Sequence, residues 1–427
     1  MVYSPTFDLL IIWLKAFISM ILSLWRLVRL TAVLQIITPR VSYLISRSIT
    51  TASALAFAFI YSKALGLNNR SLITFVMTSN SLIWILITSG TTLTLRKLTP
   101  STLDMKKVKS FNSLIALEFA IALVIFLIVI EIYSLFKNYL AVNFIIGSLI
   151  YFLLSGFHLI VVEMLIAFNK FRLSGFLDMF TIFLQILFFI SLNLVISLSI
   201  SVRLLVSFSL SYLIISMIGL YYVRKSAEFH FGFENPKLFL RETRGNHSIG
   251  FSLGVVDRID RFLIGATLPT IILGKYAVMS STISIFRFVP NAISKIVVSK
   301  AQFTLHTNLK RKSTIFIAVV VLGAALVTLS QLFIKFWLGS DWLLPISVSI
   351  CFVFQELLRG SFEIYANRSI SLGNSLLVNR LSIQLPFLSI ALTFLLVPFI
   401  GIIGVPIAFS ISFMISLFRF KFRARNE

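Results

Sequence analysis

Four charged residues lie close together in a stretch of the chain that is otherwise apolar. They are Asp257, Arg258, Asp260 and Arg261, between Gly250 and Gly265. On a helix, about a third of the circumference of this stretch is polar, cationic and notched by glycine. That face carries His247, Gly250, Gly254, Asp257, Arg258, Arg261 and Gly265. Because Asp257 and Arg261 are four residues apart they can pair, which leaves Arg258 for another partner.

Two further apolar stretches each place an arginine on a polar stripe of a predicted helix. Arg47 shares its stripe with Thr50 and Thr51, and Arg287 shares its stripe with Asn291. Guanidinium groups bind phosphate oxygens through paired hydrogen bonds, and this attraction is large where water is scarce. The pattern therefore predicts an anionic ligand in a central cavity. The predicted site residues are Arg47, Asp257, Arg258, Arg261, Arg287 and Asn291.

A purely structural explanation of the same charges stays open. The two aspartates and two arginines within 257–261 can neutralise one another inside one helix. Arg47 lies near a predicted helix end, from which a long side chain can reach the lipid headgroups. Arg287 lies deeper in its predicted span, where neither explanation applies as readily.

The sequence offers no sign of catalytic or metal chemistry. It has no nucleotide-binding loop, no Cys/His cluster and no nucleophile motif, and its histidines lack the spacing of metal ligands. The single cysteine, Cys351, lies in an apolar stretch and fits a packing role. Isolated acids at Glu118, Glu163 and Asp178 fit hydrogen bonds between helices better than proton sites. We therefore expect a protein that is not an enzyme and that holds no cofactor and no metal.

Composition predicts the elements that position these residues. Of 427 residues, 58% are hydrophobic and 12% are charged, whereas a soluble domain has about 45–50% apolar and about 25% charged residues. The excess falls into blocks of about 20 apolar residues, the length that a helix needs to cross a membrane. We predict an all-α polytopic membrane protein with about twelve spans in two six-helix lobes. The predicted spans are 42–64, 72–94, 111–133, 143–167, 174–196, 203–223, 248–268, 274–297, 313–335, 343–365, 380–399 and 401–420.

The basic residues are concentrated in alternate loops between these spans. The net charge of +23 therefore follows the rule that sets membrane orientation, and it does not indicate a nucleic-acid partner. This alternation of basic loops places both termini in the cytoplasm, and we predict a multi-pass protein of the cell inner membrane. The predicted domains are an N-terminal segment 1–40, an N-lobe 41–223, a cytoplasmic linker 224–247, a C-lobe 248–420 and a basic tail 421–427.

Residues 7–30, which precede the first predicted span, have an amphipathic pattern of their own. Asp8, Lys15, Ser19 and Arg26 recur on one helical face, which predicts a helix lying at the membrane interface. A thirteenth span is the alternative, because the charge rule does not distinguish the two arrangements.

A short repeat relates the two halves of the chain. Val-Met-Thr-Ser at 76–79 in the second span resembles Val-Met-Ser-Ser at 278–281 in the eighth. Each follows a predicted outer loop with a glycine and a basic residue, which are Gly66 and Arg70 in the first half. The match places spans one and two opposite spans seven and eight, as in transporters built from two related lobes.

Three stretches resemble motifs of the Wzx-type polysaccharide flippases. They are the glycine-containing turn at 63–72, the Asp-Arg followed by an apolar run and a glycine at 256–265, and the Leu-Gly-x-Tyr region at 273–278. That family belongs to a superfamily with the MATE exporters and the lipid II flippase. The resemblance implies two lobes around a cationic cavity, and the export of undecaprenyl-pyrophosphate-linked oligosaccharide by alternating access. Arg47, Arg258, Arg261 and Arg287 would then hold the pyrophosphate. Membrane lipids are expected partners, and a polysaccharide polymerase and a chain-length regulator are further candidates.

Two other functions stay open as alternatives. A MATE-like cation or drug exporter needs acidic residues in its cavity, whereas the polar stripes found here carry arginines. A membrane polysaccharide polymerase or glycosyltransferase would place polar catalytic loops outside the membrane, and this chain has almost none.

Overall fold

The computed structural model describes residues 39–97, 105–137, 140–168, 170–226, 254–256, 258–283, 309–371 and 375–423, with isolated residues between 235 and 243. None of these residues belongs to a strand. The helices are α1 (Pro39–Lys97), α2 (Met105–Lys137), α3 (Val142–Ala167), α4 (Phe171–Val195), α5 (Ile200–Ser226), α6 (Ile259–Thr267), α7 (Thr270–Ile283), α8 (Leu309–Leu338), α9 (Ile346–Ser371), α10 (Ser375–Ile400) and α11 (Gly404–Arg423). Two short 3-10 turns, Ser340–Trp342 and Gly401–Ile403, lie between the later helices.

Helix α1 contains the first two predicted spans, joined at a single non-helical residue. Gly66 has φ 70° and ψ 171°, and helix continues on both sides of it. A positive φ costs a residue with a side chain about 1–2 kcal/mol, so glycine suits this position. The predicted outer loop is therefore reduced to one kink between a first limb, 39–65, and a second limb, 67–97.

Two groups of helices pack among themselves. Helix α1 contacts α2, α3 and α4, and α5 packs on α3 and α4, which together form the N-lobe. Helix α9 contacts α8 and α11, α10 packs on α11, and α6 packs on α7 in the C-lobe. If the two limbs of α1 are counted separately, each lobe is built from six of the described helices. This confirms the predicted all-α, two-lobe fold.

The lobes meet where the second limb of α1 packs on α6 and α7, as the repeat predicted. The core of the C-lobe continues into Phe59, Phe75 and Tyr133 of the N-lobe. A Cβ atom on Gly274 of α7 would lie 2.9 Å from the backbone oxygen of Leu67. The backbones therefore approach each other closely beside the kink, which we call the Gly66 end of the molecule.

The outer faces of several helices are apolar and exposed. On α2, Leu117, Ile121, Val124 and Ile128 are all exposed, and their spacing places them on one helical face. Buried side chains at Ala122, Phe126 and Ile130 form the opposite face. An apolar helix surface this extensive is suited to lipid contact.

Several described helices are long and apolar enough to cross a membrane. Six such stretches occur among the described residues, and two of them, Ser48–Thr92 and Arg380–Phe420, have 45 and 41 residues. Each of these two is long enough for two spans of about 20 residues and overlaps two predicted spans. Helices α6 and α7 have nine and fourteen residues, and Gly323–Leu338 of α8 is a shorter apolar helix.

Some predictions fall outside the described residues. The N-terminal amphipathic helix lies within 1–38, and most of the linker 224–247 and the end of the basic tail also lie outside. The predicted domain boundaries therefore stay predictions.

Candidate anion site

Two of the six predicted site residues, Arg258 and Arg261, are described with their side chains. Both are half-buried at the start of α6. The backbone of Arg47 lies in the first limb of α1, but its side chain is outside the described part. Asp257, Arg287 and Asn291 also lie outside the described residues.

The stretch around these arginines is not one uninterrupted helix. Arg258 has φ −128° and ψ −22°, and α6 begins after it, at Ile259. The predicted continuous face from 250 to 265 is therefore wrong at this point. A helix start leaves backbone N–H groups without intrahelical partners, and the N–H of Arg261 donates to Asp260 Oδ1 at 2.8 Å.

Asp260 ties α6 to α7. Its second oxygen, Oδ2, accepts a hydrogen bond of 2.9 Å from the hydroxyl of Tyr276, and both residues are buried. This carboxylate is thus engaged by a backbone N–H and by a tyrosine. The suggestion that the charges within 257–261 only neutralise one another is therefore incomplete for Asp260.

Arg70 was predicted to lie in an outer loop, but it is a buried cation in a helix. It lies in the second limb of α1, four residues after the kink, and is 4% exposed. Its Nη1 donates to the hydroxyl of Tyr61 at 2.6 Å, and its guanidinium carbon lies 4.5 Å from the centre of the Tyr61 ring. The kink at Gly66 brings these residues of the two limbs together. Because the chain reverses at Gly66 alone, Arg70 lies in a helix and not in a loop. The glycine is the sequence signal that could have located Arg70.

Arg70 from the N-lobe and Arg261 from the C-lobe lie within electrostatic range of each other. The Nε atom of each is buried, and no described group accepts a hydrogen bond from either Nε. Two like charges in a region of low dielectric repel each other unless an anion lies near both. The structure thus brings together a predicted site residue and an unpredicted one, on opposite lobes.

A cavity of about 270 Å³ lies inside the N-lobe, next to this pair. We call it the N-lobe cavity; its lining residues are Thr50, Ala54, Phe57, Tyr61, Met77, His158, Asp178, Thr181, Ile182, Gln185, Phe208 and Tyr212. Tyr61 belongs both to this lining and to the contact with Arg70. The cavity and the arginine pair are therefore adjacent.

A group of polar side chains extends from the cavity wall across the N-lobe. Gln185 lies near Tyr212, the rings of Tyr212 and Tyr151 have centroids 6.0 Å apart, and Tyr151 lies near Asn80. The amide nitrogen of Asn80 donates to the hydroxyl of Ser155 at 2.8 Å. Tyr151 also lies within electrostatic range of Arg258. This polar group therefore extends from the cavity toward the start of α6.

The isolated acids of the N-lobe differ in their surroundings. Glu118 accepts a hydrogen bond from Thr91 across two helices, which confirms the expected packing role for this residue. Asp178 lines the N-lobe cavity, a position that the sequence did not indicate. Among the described residues, no group of three or more His, Cys, Asp or Glu side chains is placed to hold a metal ion.

Comparison with known proteins identifies the fold. No family model matches the chain, and no curated protein matches it. A structure of the lipid II flippase MurJ in an inward closed conformation aligns with a TM-score of 0.69 over 90% of this chain and 87% of that one, at 16% identity. The chain has the fold of the MurJ and MATE transporters.

Two MATE structures support the same conclusion. An inward-facing multidrug resistance MATE transporter of the MOP superfamily aligns with a TM-score of 0.65 at 12% identity, over 88% of this chain and 94% of that one. The eukaryotic MATE transporter AtDTX14 aligns with a TM-score of 0.62 at 12% identity, over 90% and 94%. These neighbours are membrane transporters and not enzymes. The chain is therefore a multi-pass membrane protein with a transporter fold, and the Wzx-type resemblance stays a prediction.

Proposed function

We propose that this protein is a flippase that moves undecaprenyl-pyrophosphate-linked oligosaccharide units across the inner membrane for surface polysaccharide biosynthesis. The observation that carries the proposal is the pair of Arg70 and Arg261, one on each lobe, at the lobe interface. A pyrophosphate group offers several charged oxygens, and guanidinium groups bind such oxygens through paired hydrogen bonds. The likeness in fold to a lipid II flippase supports a lipid-linked substrate.

The position of the pair between the lobes suits alternating access. Because its two halves belong to different lobes, any motion that separates the lobes at the Gly66 end also divides the site. A bound pyrophosphate would attract both halves, whereas the arginines alone repel each other. Substrate binding would then favour one arrangement of the lobes over the other, as population shift requires.

The rest of the substrate needs different surroundings from the pyrophosphate. Moving a hydroxyl-rich glycan through hydrocarbon costs several kcal/mol for each unsatisfied polar group. A polar cavity removes most of this cost, and the polyprenyl tail stays against the apolar outer faces of the helices. No bond forms or breaks, so this function needs no catalytic residue, cofactor or metal.

The remaining predicted residues belong to the same proposal. Arg258, which lies within electrostatic range of Tyr151, would extend the cationic surface. Arg47, Asp257, Arg287 and Asn291 would complete it from their own spans. The inner-membrane location with cytoplasmic termini, and partnership with a polysaccharide polymerase and a chain-length regulator, follow from the proposed function.

The test compares surface polymer in a deletion strain restored with different forms of the gene. The forms are wild type, Arg70→Ala, Arg261→Ala and a control, Arg224→Ala, which removes an exposed arginine at the end of α5. Losing a hydrogen bond to a charged group costs about 1.5–3 kcal/mol, which corresponds to about 10- to 100-fold weaker binding. We expect the two site variants to fail and the control to restore polymer at equal expression.

The location of lipid-linked units decides the interpretation. Accumulation on the cytoplasmic side of the deletion strain and of both site variants supports the flippase. Unchanged surface polymer in the deletion strain contradicts the proposal.

The second candidate is a MATE-like cation exporter, which one observation favours. Asp178 lies in the wall of the N-lobe cavity, where an acid could attract an organic cation. If the deletion strain becomes sensitive to cationic drugs, and Asp178→Asn fails to restore resistance while Arg70→Ala succeeds, this function replaces the flippase. A polymerase or glycosyltransferase activity is the third alternative, and no described feature favours it.

A further inference from the structure

We infer that the N-lobe cavity is a subsite for one sugar ring of the transported glycan, an inference that rests on the flippase function proposed above. The cavity of about 270 Å³ has the volume of about nine water molecules at roughly 30 Å³ each. That space accommodates a single sugar ring and is small for a whole oligosaccharide. The subsite would therefore read one residue of the glycan.

Aromatic side chains supply the apolar part of this subsite. Tyr212 and His158 are half-buried, and both border the cavity. Their rings stack at 4.8 Å between centroids with an interplanar angle of 27°. Phe208 lies beside Tyr61, with centroids 6.2 Å apart. A sugar ring presents C–H groups on its faces, and flat aromatic surfaces pack against such faces.

Polar side chains supply hydrogen bonds of both kinds. Gln185 and Thr181 are buried in the wall of α4, and Asp178 lies one turn before Thr181 on the same helix. Amide and hydroxyl groups both donate and accept hydrogen bonds, whereas a carboxylate only accepts them. Sugar hydroxyls likewise donate and accept. A wall of this composition therefore matches a hydroxylated ring better than an apolar ligand.

The position of the cavity relative to the arginines supports the same ligand. Tyr61 lines the cavity with its side chain while its hydroxyl accepts the hydrogen bond from Arg70. In a lipid-linked glycan the first sugar is attached directly to the pyrophosphate. If the arginine pair holds the pyrophosphate, the adjoining cavity is the place for a sugar that lies close to it.

The surrounding charge weighs against an organic cation as the occupant. Asp178 is the acid of the lining. Arg70 contacts Tyr61 of the same lining, and Arg258 lies within electrostatic range of Tyr151, whose ring lies 6.0 Å from that of Tyr212 between centroids. A neutral sugar attached to an anionic group is not repelled by these cations, whereas a cation is.

The test uses the purified full-length protein in lipid nanodiscs and two lipid probes. One probe is undecaprenyl pyrophosphate, and the other is the lipid-linked oligosaccharide extracted from membranes of the source organism. Gln185→Leu and Tyr212→Phe each remove hydrogen-bonding groups from the cavity. Tyr221→Phe makes the same change as the second variant at an exposed position of α5 and is the control. Thermal unfolding of each variant checks that it folds.

We expect wild type and Tyr221→Phe to bind the glycan-bearing lipid more tightly than undecaprenyl pyrophosphate. In each cavity variant, the Kd for undecaprenyl pyrophosphate divided by the Kd for the glycan-bearing lipid should fall by about 3- to 10-fold, as expected for the loss of a hydrogen bond. The Kd for undecaprenyl pyrophosphate should stay unchanged. Weaker binding of both probes by Arg70→Ala would support pyrophosphate binding by the arginine pair independently of the cavity.

Other outcomes overturn the inference in ways that can be told apart. An unchanged ratio in both folded cavity variants rejects the sugar subsite and leaves the flippase proposal intact. If wild type binds neither lipid probe, both proposals fail. If wild type instead binds tetraphenylphosphonium, and Asp178→Asn abolishes that binding, the cavity is a cation site.

Discussion

The hydrogen bond between Arg70 and Tyr61 links the buried arginine to the wall of the N-lobe cavity. The Tyr61 hydroxyl lies 2.6 Å from the Arg70 guanidinium, and the Tyr61 ring borders the N-lobe cavity. Burying a guanidinium group costs less free energy when polar atoms accept hydrogen bonds from it. Tyr61 therefore both supports the cation and shapes the space beside it.

At this scale we predict the effect of Tyr61→Phe. The change keeps the ring but removes the acceptor for Arg70, so the free energy of unfolding should fall by about 1–3 kcal/mol. Undecaprenyl pyrophosphate should also bind more weakly, because Arg70 loses its orientation. Thermal unfolding and lipid binding to the purified protein measure both effects, with Tyr221→Phe as the exposed control. Wild-type stability in Tyr61→Phe would show that this hydrogen bond contributes little.

Helix packing at the kink depends on two glycines in different lobes. Gly66 reverses the chain inside α1 with a positive φ, and Gly274 lets α7 approach that reversal. A Cβ atom on Gly274 would lie 2.6 Å from Ser71 Oγ and 2.9 Å from the backbone oxygen of Leu67. The second contact involves backbone, which cannot rotate away as a side chain does.

We therefore expect Gly274→Ala to push α7 away from α1. Overpacking of this kind typically costs about 1–3 kcal/mol, and the lobes should associate more weakly at the Gly66 end. Gly147→Ala is the matched control, because a Cβ there meets its nearest neighbours at an ordinary 3.7 Å. Thermal unfolding and transport are the measurements. Equal stability of the two variants would contradict the close approach described here.

The apolar blocks of the sequence predicted the helices well because burial and lipid contact both select long apolar runs. The break before α6 was missed, since Arg258 differs from its helical neighbours in backbone conformation and not in hydropathy. Arg70 was missed for a related reason, because charge in a short connection is assigned to a loop by default. The N-lobe cavity, with Asp178 in its wall, arises from packing between distant helices, which no local pattern encodes.

On the scale of the whole molecule, the lobes are held together at the Gly66 end by aromatic contacts. Phe59 of α1 packs edge to face on Phe333 of α8, with centroids 4.7 Å apart. Nearby, the Lys63 ammonium lies 5.4 Å from the centre of the Trp337 ring, a favourable cation–π arrangement. These contacts involve one helix from each lobe, so they must break if the lobes part at this end.

This contact predicts that a bridge between the lobes blocks transport. Phe59→Cys and Phe333→Cys, combined with Cys351→Ser to remove the single native cysteine, provide two thiols for a short cleavable cross-linker. We expect cross-linking to stop transport and reduction of the linker to restore it. Each cysteine alone, treated in the same way, is the control. Full transport by the cross-linked protein would rule out separation of the lobes at this end.

The single-residue connection inside α1 also limits which insertions and deletions the chain can accept during evolution. Tyr61 and Arg70 are nine residues apart, and their contact depends on the helical phase of both limbs. One inserted residue would turn Arg70 by about 100° around its helix and shift it by about 1.5 Å, away from its partner. Substitutions can be compensated locally, but a change in length here cannot. Homologous sequences that keep this contact should therefore align without gaps from 61 to 70, while insertions and deletions collect in the connections between lobes.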